Sequence, residues 1–134
     1  MHQSRLLKII ERLSPRQKEQ FKNFVCSPYF NQHEKTTQLL SLIYEALEDT
    51  EQSLDKKKIF QQLFPKQTFD EQKLHNIMSY LQRLYHQFLA FQALESKPFV
   101  EQLYTLEEAF KTSQWDVYTN RYKLLEKKFT AASR

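Results

Sequence analysis

The chain has 134 residues, with 20 Lys+Arg against 16 Asp+Glu and no glycine. That length fits one domain, and its 37 Leu, Phe, Ile and Val residues are too many for a disordered chain. Without glycine, phosphate-cradling loops, dinucleotide fingerprints and nucleophile elbows are excluded, because each needs backbone at positive φ or in close approach to a ligand.

The punctuation along the chain is helical throughout. Ser4 is placed to cap a short first helix whose apolar residues are Leu6, Leu7, Ile9, Ile10 and Leu13. Ser14-Pro15-Arg16-Gln17 predicts the start of a second, with Ser at the N-cap, Pro at N1 and Gln at N3 to complete a capping box. This helix carries Phe21, Phe24 and Val25 and stops near Cys26, ahead of Pro28. Asn31 is predicted to cap a third helix, with Glu34 at N3 and Leu39, Leu40, Ile43, Tyr44 and Leu47 as its stripe. Residues 48–53 read as a loop.

Asp55 is predicted to cap a fourth helix within 54–64 that buries Ile59, Phe60, Leu63 and Phe64, and Pro65 stops it. Asp70 opens the longest element, 70–95, where Phe69 and Leu74 have the spacing of a hydrophobic staple. Leu74, Met78, Leu81, Tyr85 and Phe88 form its main stripe, and Tyr80, Phe91 and Leu94 widen it. A helix of that length spans ~38 Å, and so wide an apolar face needs neighbours on both flanks. Ser96-Lys97-Pro98 breaks it. Phe99, Val100, Leu103, Tyr104 and Leu106 mark a sixth helix ending near Thr112, and Ser113 with Asp116 at N3 is predicted to start a seventh. There Trp115, Tyr118, Tyr122, Leu125 and Phe129 recur at spacings of 3 and 4, the seam of a helix laid along its neighbour.

No segment alternates with period two, so the expected fold is all-α. It is read as a compact multi-helix bundle of about seven helices in one domain, 1–134. Residues 1–96 form the core bundle around the long central helix, and 97–134 form an αα-hairpin with a solenoid-like end. The hairpin lacks the glycine of the tetratricopeptide consensus. A single unit of this kind cannot bury both its faces, so a further unit or a partner is expected at the C-terminal end. On this reading the chain is the N-terminal part of a longer protein.

The run Ser27-Pro28-Tyr29-Phe30-Asn31, between LSPRQKEQFKNFVC and the later KKKIFQQLFPKQTFDEQKLHNIMSYLQRLYHQFL, resembles the N-terminal region of a group of helical proteins found mainly in Bacteroidota. The resemblance covers about residues 13–95 and implies helical, repeat-like continuations in the longer members. It implies no activity and transfers no site residue. On physical grounds the same motif is a turn: Pro28 ends a helix, Tyr29 and Phe30 anchor it to the core, and Asn31 caps the next helix.

Tests for chemistry come out negative. His33-Glu34 begins like a zinc-protease HExxH, but Thr37 stands where the second His is required. Cys26 is the lone cysteine, which excludes an internal disulfide and points to a reducing, cytoplasmic setting. His75 and His86 are eleven residues apart on one helix, too far along the axis to share a metal. No catalytic, cofactor-binding or metal-binding residue is assigned, and the chain is read as not an enzyme. Nothing approaches the ~20 apolar residues of a membrane span.

Charge is unevenly placed. Residues 98–120 carry −3 and residues 121–134 carry +4, so Arg121, Lys123, Lys127 and Lys128 form the candidate partner surface on the outer face of the seventh helix. The expected function is a helical interaction or scaffolding module whose partner is a protein: its own downstream region, a second copy, or another chain. The alternative is a helix-turn-helix nucleic-acid binder built from 54–64 and 70–95, reading through Lys73, Asn76, Ser79, Gln82 and Arg83. Its five-residue turn and two basic residues disfavour nucleic acid as the partner.

Overall fold

The computed structural model describes residues 5–49 and 55–132. It contains α1 (Arg5–Glu11), α2 (Pro15–Val25), α3 (Glu34–Glu48), α4 (Lys56–Leu63), α5 (Glu71–Glu95), α6 (Pro98–Lys111) and α7 (Trp115–Ala132). Among the described residues there is no strand, so the fold is all-α. The expected Ser4 cap and loop residues 50–53 lie outside the described residues. The chain divides into two compact units, 1–88 and 89–134, with the division inside α5.

In the first unit the apolar stripes of α1 to α5 close on one another around Leu7, Phe21, Leu39, Phe60 and Leu81, all fully buried. Phe21 is the hub of an aromatic knot, 5.3 Å from both Tyr85, edge-on, and Phe88. The local signals explain the entry to α2. Gln17 N–H donates to Ser14 Oγ at 3.2 Å while Ser14 N–H donates to Gln17 Oε1 at 3.0 Å. Two of the orphan donors of a helix start are thereby satisfied. Asp55 similarly accepts from Lys57 N–H, and Asp70 from Lys73 N–H.

Asn31 departs from its predicted role. α3 begins at Glu34 with His33 as N-cap and no side-chain cap bond. Asn31 sits buried ahead of it, donating through Nδ2 to the Val25 carbonyl at 2.8 Å and to Thr37 Oγ1 at 3.0 Å. Its Oδ1 accepts from His33 N–H at 2.9 Å. Asn31 therefore closes the last carbonyl of α2 and clamps it to the first turns of α3. Of the aromatic pair before it, Phe30 stacks on Phe24 at 4.3 Å, whereas Tyr29 is 87% exposed and meets only the edge of Phe30, at 5.1 Å, instead of entering the core. A second tie joins the same helices, because Tyr44 OH donates to the Lys18 carbonyl at 2.8 Å.

In the second unit α6 and α7 form a hairpin through a three-residue turn. Gln114 N–H donates to the Ala109 carbonyl at 2.8 Å and Ser113 N–H to the Phe110 carbonyl at 3.2 Å. That pair of bonds is a Schellman closure, whose residue after the C-cap is left-handed and usually glycine. Here it is Ser113, at φ +58°. Ser113 thus ends α6 instead of capping α7, which starts at Trp115.

Candidate interaction surface

A helix turns 100° per residue, which fixes what each side of the hairpin carries. On α6, Gln102, Thr105, Leu106 and the buried Ala109 gather on one side. On α7, Tyr118 and Leu125 are the half-buried pair. These residues line the seam between the two helices. The expected seam is therefore narrower than its periodicity suggests, since Trp115, Tyr122 and Phe129 lie on its edge and remain 51–66% exposed.

The same edge of α6 presents Phe99, Leu103 and Phe110, exposed by 42–58%. Phe110 meets Trp115 edge-on at 5.5 Å, so the two helices show these side chains on one face of the hairpin. The rings continue from Phe110 to Tyr118 at 5.9 Å and from Tyr118 to Tyr122 at 6.2 Å, stacked. The result is an apolar strip of Phe99, Leu103, Phe110, Trp115, Tyr122 and Phe129. At roughly 150–250 Å² per large side chain, half-open, it leaves about 600 Å² facing outward. Scattered exposed apolar residues are ordinary, whereas six aligned on one face make a patch at the upper end of what monomers expose.

The four cations proposed for the outer face of α7 are all exposed, yet they do not form one patch. Arg121 and Lys128 share one side, and Lys123 and Lys127 lie about 130° away. Lys123 and Lys127 border a shallow hollow of about 390 Å³ with Glu126, Thr130 and Ala131. On α6, Glu107 lies 2.9 Å from Lys111 and holds that ammonium above its ordinary pKa, first through the hydrogen bond and then through charge.

The alternative nucleic-acid face is dispersed. Lys73 and Asn76 line a groove of about 570 Å³ with His33, Lys35, Phe64 and Tyr80. There Lys73 Nζ sits 4.2 Å from the Phe64 ring and donates to Gln67 Oε1. Ser79 faces away beside His75, Arg83 is exposed, and Gln82 is half-buried on the other flank of α5. The five span about half the helix circumference. Lys35, which no sequence pattern singled out, reaches the same Phe64 ring at 5.1 Å and donates to the Leu63 carbonyl at 2.6 Å. Cys26 is exposed and lines a separate hollow with Lys35, Gln38 and Pro65, to which no histidine contributes.

Among the described residues no group of three or more His, Cys, Asp or Glu gathers to hold a metal ion. None of their helices is long and apolar enough to cross a membrane. Comparison with protein families, with curated proteins and with solved structures finds no match to this chain.

Proposed function

We propose that this chain is a non-enzymatic helical interaction module that receives a protein partner on the open face of α6 and α7. One observation carries the reading: six large apolar side chains stand half-exposed, three from each helix, and helical spacing aligns each three along one line. Water is a poor neighbour for such a strip, and covering it supplies the drive for association. The expected cytoplasmic setting and the resemblance carried by Ser27–Asn31 fit this reading but add no chemistry. The helix-turn-helix alternative is supported less well, because its five side chains point around half of α5.

Site-specific photo-cross-linking in the protein's own cells tests the proposal. A photoreactive residue at Tyr122 should give a discrete protein adduct, and one at Arg83 should give none. Protein adducts from Arg83 alone would overturn the assignment of the surface, and adducts to nucleic acid from Arg83 would promote the alternative.

A further inference from the structure

We infer that the partner on this face is a second copy of the chain, seated with the two strips against one another. The inference rests on the interaction reading above and specifies its occupant.

Area is the first support. The strip offers about 600 Å² per copy, and two copies together reach about 1,200 Å², the lower bound of a specific interface. The second support is composition. Phe99, Leu103 and Phe110 come from α6, and Trp115, Tyr122 and Phe129 from α7. A two-fold axis sets the six of one copy against the six of the other in a self-complementary contact.

Sedimentation velocity on the full chain tests the inference. The expected result is a dimer with a dissociation constant at or below about 10 μM. Tyr122→Asp with Phe129→Asp, both more than half-exposed, should leave the far-UV circular dichroism unchanged and abolish the dimer. A parent chain that stays monomeric at about 500 μM overturns the inference. The interaction reading would then stand or fall on whether the Tyr122 adduct joins this chain to a different protein.

Discussion

The side-chain amide of Asn31 bridges the end of one helix and the beginning of the next, donating to the Val25 carbonyl at 2.8 Å. Its second donation, to Thr37 Oγ1 at 3.0 Å, makes the turn between α2 and α3 a cross-braced corner. Replacing Asn31 by Ala leaves the buried Val25 carbonyl without this partner and should cost about 1–3 kcal/mol. The measurement is the urea midpoint followed by far-UV circular dichroism. A midpoint equal to the parent's would show that the turn closes without the amide.

Tyr44 makes stability depend on alkaline pH. Burial pushes its hydroxyl above the ordinary pKa of 10.0, because the phenolate is the form that burial disfavours. A pKa raised in the folded state gives stability that is complete below the unfolded value and declines as pH climbs past it. The parent should therefore lose thermal stability between about pH 9 and pH 11 by more than Tyr44→Phe does. Near neutral pH the Phe variant should be about 1 kcal/mol weaker, having lost the bond to the Lys18 carbonyl. Parallel pH curves for the two proteins would remove Tyr44 as the cause.

Ser113 holds a left-handed backbone in a chain that has no glycine to place there. The conformation costs a residue with a Cβ about 1–2 kcal/mol. Ser113→Gly should accordingly stabilise the hairpin, by up to about 1 kcal/mol once the greater freedom of glycine in the unfolded chain is counted. Ser113→Val should destabilise it, since a β-branched side chain tolerates this region least. Thermal midpoints in the order Gly, Ser, Val from highest to lowest check the prediction, and the reverse order defeats it.

Local chemistry was well written into the sequence, and meetings between distant segments were not. Ser14 with Gln17, and Asp55 ahead of α4, announce helix starts because each cap involves residues only two or three positions apart. The position of Leu81 on the buried side of α5 follows from the period of its apolar neighbours. Asn31 misleads for a definable reason: Asn31 and Glu34 have capping-box spacing, but the chain stays extended through His33 and the amide is drawn back to α2. Lys35 and Lys73 converge on Phe64 from helices far apart in sequence, and no spacing encodes that. The hairpin shows the same limit. Periodicity tells which side of α7 is apolar, but not whether a neighbour covers all of it, so Trp115, Tyr122 and Phe129 looked like core and are surface.

The placement of Trp115 gives the protein a built-in optical reporter. It is the chain's one indole, and it stands on the hairpin face between Phe110 and Tyr118, in the unit formed by residues 89–134. Its emission therefore reads the solvent polarity at the strip, whereas the aromatic side chains of residues 1–88 are phenylalanine, tyrosine and histidine. Covering the strip should shift that emission to the blue, so occupancy of the face can be titrated with no label attached to the protein.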